Sequence, residues 1–183
     1  PTARRLVVAR VLLICVAVLA AYTASFRPAD IVAMVACAFS LAAAGIFPAL
    51  VMGIWWKRTT TPAALVGTAV GFGLCLYYLV GTRYYAPSFY ETWSFLSSAT
   101  QAQAARYAEL KAAWVAAGSP DSGAAWRAYD TFAQSIANWW GVRNISAGLF
   151  SLPLGFILIF VISLLTPAPS KEMQAFIDEI RKP

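Results

Sequence analysis

The groups in this chain that could do chemistry are few, and most of them are backbone. The 183 residues include no His. There is no nucleophile motif, no phosphate-binding Gly-rich loop and no pair of carboxylates inside an apolar stretch. An intramembrane protease or an acyltransferase lacks the residues it would need, so the chain reads as a non-enzyme with no cofactor. Cys15, Cys37 and Cys75 fall inside apolar runs without metal-ligand spacing, and they read as small buried hydrophobes rather than as a metal or redox set. What remains is the run Phe39-Ser40-Leu41-Ala42-Ala43-Ala44-Gly45-Ile46-Phe47-Pro48-Ala49-Leu50. Pro48 cannot donate a backbone hydrogen bond, so it is expected to kink a helix here or help end a regular turn. An interrupted membrane helix can offer freed carbonyls and helix ends to an ion or a polar solute. Such backbone is tolerated only against protein or a water-filled cavity. Ser40 is the clearest side-chain hydrogen-bonding group in the run. The alternative reading is an ordinary packing kink, with the Ser40 hydroxyl bonded to its own turn.

The elements that must position this run are membrane helices. Hydrophobic residues make up 60% of the chain and charged residues 12%, where a soluble domain carries roughly a quarter charged. The charges are also segregated: 11–26, 31–56, 59–82 and 144–170 contain none. Crossing the hydrocarbon takes about 20 apolar residues, so the expected class is all-α, a polytopic transmembrane helical protein. The first span is expected over 6–26 and ends in the turn Arg27-Pro28-Ala29-Asp30. The second runs over 31–56 and closes on Trp55-Trp56-Lys57-Arg58, an aromatic belt with two cations. Thr59-Thr60-Thr61 is expected to cap a third span that starts at Pro62 and runs to Gly81. Its Gly67 and Gly71 form a small-x-x-x-small face, which lets another helix approach closely. The fourth span is expected over 145–165, and 171–182 reads as a short amphipathic helical tail.

Residues 83–143 mix both signs of charge with many aromatics. Ala99 to Ala117 reads as one helix, broken at Gly118-Ser119-Pro120-Asp121, and Ala124 to Trp140 as another. The aromatics read as interfacial anchors and local packing, on an ordered loop lying along the bilayer surface. The net charge of +6 would admit nucleic acid as a partner. The basic residues sit at span ends, however, and no nucleic-acid partner is expected. Arg4, Arg5 and Arg10 precede the first span, Lys57 and Arg58 follow the second, and Lys171, Arg181 and Lys182 follow the fourth. Four crossings put all three clusters on one side, which the charge bias makes cytoplasmic. The expected location is a cell (inner) membrane, multi-pass, with both ends cytoplasmic and 83–143 outside.

The stretch from Phe39 to Leu50, followed by Gly53-Ile54-Trp55-Trp56-Lys57-Arg58 and Thr61-Pro62-Ala63-Ala64, resembles the sodium:solute symporter family. The closing stretch Ile145 to Phe150, with Pro153-Leu154-Gly155 and Ser163-Leu164-Leu165-Thr166-Pro167, is similar to its cation:acetate symporter branch, as is the tail from Pro169 to Pro183. The resemblance implies the C-terminal part of a leucine-transporter-like, inverted-repeat fold. Residues 1–56 would then hold the last two core helices, 57–82 and 144–167 peripheral helices, and 168–183 a cytoplasmic tail. It implies sodium as the coupling ion, a small organic anion such as acetate or another monocarboxylate as substrate, and the lipid bilayer and upstream helices as partners. The family's sodium site would lie upstream of Pro1. The second span would contribute to the substrate cavity and outer gate, which makes Phe39, Ser40, Ala44 and Gly45 the candidate positions and Pro48 the kink. Two other classes stay open: a non-transporting membrane sensor or scaffold, and a structural membrane subunit. As an isolated piece, residues 1–183 are not expected to transport.

Overall fold

In a computed structural model of the chain, residues 2–25, 31–170 and 174 are described. The helices are α1 (Thr2–Ser25), α2 (Ile31–Trp55), α3 (Thr61–Tyr84), α4 (Ala86–Trp93), α5 (Gln101–Ala116), α6 (Ala124–Ile136) and α7 (Gly148–Leu165), with 3-10 turns at Ser94–Leu96 and Asn144–Ser146. Among the described residues there is no strand, only an isolated bridge between Ser97 and Trp139. The expected turn at 27–30 and tail helix at 171–182 lie outside the described residues, apart from Gln174.

Three helices are long and apolar enough to cross a bilayer: Ile31–Trp55, Thr61–Tyr84 and the run Asn144–Leu165. The chain is a multi-pass membrane protein. The first expected span, over 6–26, falls on the 24-residue α1, whose described apolar part, Leu6–Tyr22, is shorter than the other three helices. The chain divides into two units, 1–35 and 36–183. The first is α1 with the opening of α2, and its described apolar side chains stand exposed except for the half-buried Ala33. The second contains everything discussed below.

In the second unit, α3 runs antiparallel to α7, and α2 runs parallel to α7. Gly67 and Gly71 make this possible. A Cβ on Gly67 would strike the Ile159 side chain and come within 3.2 Å of the Gly155 carbonyl oxygen. A Cβ on Gly71 would lie 2.5 Å from the Ala44 carbonyl oxygen and 3.5 Å from that of Ser151. One glycine admits α7, and the other admits α2 and α7 together. Gly155 returns the approach from the α7 side, where Pro48 Cγ would stand 3.0 Å from an added Cβ. Small residues replace the hydrophobic effect here, because lipid tails are as apolar as the helices they cover.

The Thr59-Thr60-Thr61 triplet differs from expectation. Thr60 is the N-cap of α3, yet its side chain makes no cap bond. The Thr60 N–H donates instead to Ser163 Oγ at 3.2 Å, and the Thr60 and Thr166 hydroxyls meet at 2.8 Å. Thr59 Oγ1 donates to the Met52 and Trp56 carbonyls at the end of α2. Arg58 completes a latch, its Nε and Nη2 reaching the Ser163 and Leu164 carbonyls at 3.4 and 3.3 Å. A cation on the last carbonyls of a helix is favourable on both hydrogen-bond and dipole grounds. The latch also fixes topology: the end of α7 shares a side with Lys57 and Arg58.

Residues 83–143 hold three packed helices, α4, α5 and α6, where two were expected. α3 continues to Tyr84, beyond the expected Gly81. α4, which the sequence reading did not separate, then folds back along it, so that Phe89 lies against Gly81 and Trp93 Nε1 donates to the Tyr77 hydroxyl at 2.8 Å. α5 starts at a capping box: Thr100 Oγ1 accepts from Gln103 N–H, and Gln103 Oε1 accepts from Thr100 N–H at 2.8 Å. It ends at Gly118 with φ +86°, where Ser119 N–H reaches the Trp114 carbonyl and Gly118 N–H that of Val115. This is the left-handed close for which glycine is favoured. α6 stops at Ile136, short of Trp140. Ser97 Oγ takes the Ile136 carbonyl at 2.6 Å, and the chain turns through Trp140 and Gly141, both at positive φ.

Candidate functional site

The expected site residues all sit on α2, and the bundle treats them unequally. α2 has a stripe of small residues turned toward α3 and α7 and an opposite stripe of large ones left uncovered. Ala44, Gly45 and Pro48 are buried on the first stripe. Phe39 lies on the second, 72% exposed, with Ile46, Leu50 and Ile54. The Ser40 hydroxyl donates to the Ile145 carbonyl at 2.6 Å, across 105 residues of sequence. It therefore satisfies the irregular start of α7 rather than its own turn. Gly148 admits the Ser40 backbone at that point, with an added Cβ 3.6 Å from the Ser40 carbonyl oxygen.

Pro48 leaves α2 continuous to Trp55. Lacking an N–H, it cannot bond the Ala44 carbonyl four residues back. That freed oxygen faces Gly71 of α3, where the glycine Cα–H can serve as a weak donor. Gly45 lies against the Phe72 ring, 3.4 Å from an added Cβ. Of the four candidate positions, Ser40, Ala44 and Gly45 are thus joined at the α2–α3–α7 junction, and Phe39 stands apart on open surface. Among the described residues no cluster of His, Cys, Asp and Glu could hold a metal ion.

Two polar constellations were not singled out from the sequence. The Tyr78 hydroxyl accepts from Trp139 N–H at 3.1 Å and donates to the Val142 carbonyl at 2.5 Å. Tyr78 is only 1% exposed, and Phe89, Trp139 and Phe150 surround its ring. It joins α3, the module and the approach to α7. A tyrosine inside a charge-free run was the available signal, because a buried phenol finds a partner. The second constellation is Glu91 of α4. Its Oε1 accepts from Lys111 Nζ at 2.7 Å, from the Tyr107 hydroxyl at 3.0 Å and from the Tyr129 hydroxyl at 3.3 Å. The Lys111 ammonium and the phenols hold the Glu91 carboxyl below its ordinary range, against a smaller opposing effect of burial. Glu91 in turn raises Lys111. Burial first, then the hydrogen bonds from Tyr129 and Glu91, push Tyr107 up. One carboxylate so ligated ties α4, α5 and α6 together.

Comparison with known proteins fits this architecture. Residues 2–71 match the sequence model of the sodium:solute symporter family, which covers α1, α2 and the first half of α3. An uncharacterised symporter of Cupriavidus necator is 31% identical over 179 residues, 98% of this chain and 20% of its own length. The chain thus spans about a fifth of the curated relative it matches. No solved structure matches.

Proposed function

We propose that these helices are the closing part of a sodium-coupled symporter that moves a small organic anion, acetate or another monocarboxylate, by alternating access. The observation that carries this reading is the likeness to a symporter along almost the whole chain, together with the family match across α1 and α2. The geometry supports it in one respect. α2 has one stripe locked against α3 and α7 and an opposite stripe, with Phe39, bare. A helix of a transporter core needs that second stripe for the substrate-bearing helices upstream. Phe39 is then the gate residue of the four candidates, and Ser40, Ala44 and Gly45 hold α2 in place behind it. The sodium ion belongs to helices upstream of Pro1. The latch side, with Lys57 and Arg58, is the cytoplasmic side by the charge bias, and the α4–α6 module lies outside.

The test uses the full-length protein in proteoliposomes with labelled acetate. Uptake driven by an inward sodium gradient, with Phe39→Ala raising KM for the solute, is the expected result. Uptake indifferent to sodium refutes the coupling. No uptake of any short carboxylate refutes the substrate.

A further inference from the structure

A groove of about 580 Å³ runs along the outer half of α3, within the roughly 300–1,000 Å³ typical of ligand clefts. Gly73, Leu76, Tyr77, Val80 and Gly81 of α3 form its floor, and Tyr85, Ser88, Phe89 and Thr92 its wall. None of its lining residues is charged. Gly73 opens the lower end, since a Cβ there would meet nothing within 4 Å.

Two independent rulers place this groove against the bilayer. On α3, the latch at Thr60 and the hydroxyl of Tyr78 are 18 residues apart, which is about 27 Å of helix. On α7, the run from Ala147 beside Phe150 to Thr166 in the latch gives nearly the same length. Both approach the roughly 30 Å of a hydrocarbon core. The outer level they define carries Tyr77, Tyr78, Trp93, Trp139 and Trp140, an aromatic layer of the kind found at membrane interfaces. Gly73 lies about 7 Å inside that level and Tyr85 about 10 Å beyond it, at 1.5 Å per residue. α4 runs back from Tyr85 to Trp93 beside Tyr77, so Ser88 and Thr92 lie between these depths. The groove crosses the interface: its apolar end lies within the hydrocarbon and its hydroxyl-bearing end lies in the headgroup layer.

We propose that this groove holds one phospholipid of the outer leaflet. An acyl chain lies along Leu76 and Val80 over Gly73, and the hydroxyls of Ser88 and Tyr85 meet ester or phosphate oxygens. The occupant follows from depth and lining: the uncharged walls are apolar at the lower end and carry hydroxyls at the upper end, which is the division a phospholipid presents. A small soluble ion is disfavoured, because the uncharged walls offer no charge to offset its desolvation.

The experiment is native mass spectrometry of the full-length protein after detergent delipidation. The wild type should retain one more phospholipid per chain than Gly73→Phe, which fills the acyl end, or Ser88→Trp, which blocks the mouth. Either should lower the retained fraction by about tenfold, the effect of losing roughly two buried methylenes. Gly53→Phe, at another glycine open within 4 Å, should keep the lipid. A photoreactive benzoylphenylalanine at Leu76 should yield a phospholipid adduct. No retained lipid in the wild type, or equal retention in all variants, overturns the proposal. So does a cross-link from Leu76 to another protein segment, which would mean that a helix fills the groove.

Discussion

Gly71→Ala and Gly73→Ala are the same chemical change two residues apart in α3, and the structure expects opposite outcomes. Both gain the helix propensity of alanine over glycine, roughly 1 kcal/mol in an exposed helix interior, and that gain cancels in the comparison. At Gly73 the added methyl meets no protein atom within 4 Å. At Gly71 it lies 2.5 Å from the Ala44 carbonyl oxygen. This neighbour is backbone, on a turn already short of a donor because Pro48 has no N–H, so no rotamer change relieves the contact and the helices must separate. Overpacking of this kind costs about 1–3 kcal/mol. The expected difference between the variants is therefore about 1–3 kcal/mol, roughly 5- to 150-fold in an unfolding equilibrium. Equilibrium unfolding of the full-length protein in mixed micelles, with both variants in parallel, measures it. If Gly71→Ala proves as stable as Gly73→Ala, α2 and α3 do not approach through Gly71, and the account of Pro48 as the source of a freed, packed carbonyl is wrong.

Three further outcomes follow from the polar links. Ser163→Ala removes the acceptor of the buried Thr60 N–H. It should cost about 1–3 kcal/mol, the penalty of an unpaired buried donor, read in the same unfolding assay. Tyr78→Phe deletes the hydroxyl that serves both Trp139 N–H and the Val142 carbonyl. The loss should be of similar size, about 1–3 kcal/mol, and amide exchange at Trp139 should accelerate while that in the α5 interior does not. Glu91 has a folded pKa held below its ordinary value of 4.5, so its stabilisation is fully present above that value and is lost as pH falls through the lowered one. The melting temperature of the wild type should therefore drop below about pH 4.5 relative to Glu91→Gln, and a constant gap between the two across that window would refute the role given to Glu91.

Three of the expected spans, Ile31–Trp55, Thr61–Tyr84 and Asn144–Leu165, were legible in the sequence because a charge in hydrocarbon is so costly that charge-free runs mark them almost by themselves. α2 ends at Trp55, within one residue of expectation. Hydropathy, however, marks the bilayer and not the helix. α3 continues to Tyr84, beyond the expected Gly81, so its end could not be read from where apolar residues stop. α4 has only eight residues, too few for a periodic pattern, though Pro87 at its start was a usable signal. The Thr59-Thr60-Thr61 triplet and Ser40 show a different limit. Local rules offer such side chains their own turn or the nearest helix end. Thr59 does bond the nearest helix end, but the bonds of Thr60 and Ser40 go to Ser163, Thr166 and Ile145, more than 100 residues away, and no local pattern encodes that choice. For the candidate site, sequence placed Phe39, Ser40, Ala44 and Gly45 on one helix but could not divide them between its two faces.

That division follows from where the bundle keeps its polar groups. Among the described residues, most side-chain hydrogen bonds that join α2, α3 and α7 lie toward two ends, with Cys75 beside Ser151 between them. Arg58, Thr60, Ser163 and Thr166 form one end. Ser40 with Ile145, and Tyr78 with Trp139 and Val142, form the other. Between them the helices meet through Ala44, Gly67, Gly71 and Gly155, where backbone approaches backbone or a compact side chain. Such a middle offers chiefly close packing, because its small side chains leave little room to rotate and the buried Ser151 hydroxyl donates within its own helix, to the Ala147 carbonyl at 3.1 Å. Hydrogen bonds at two ends and the glycine-mediated approaches at Ala44 and Pro48 resist shear, so α2 should follow α3 and α7, whose mutual packing is the more extensive. If the symport proposed above holds, the motion that serves it falls on the bare stripe of α2, between Phe39 and the helices that face it. A cross-link between α2 and α3 should therefore be silent in transport, and one from Phe39 to an upstream helix should not.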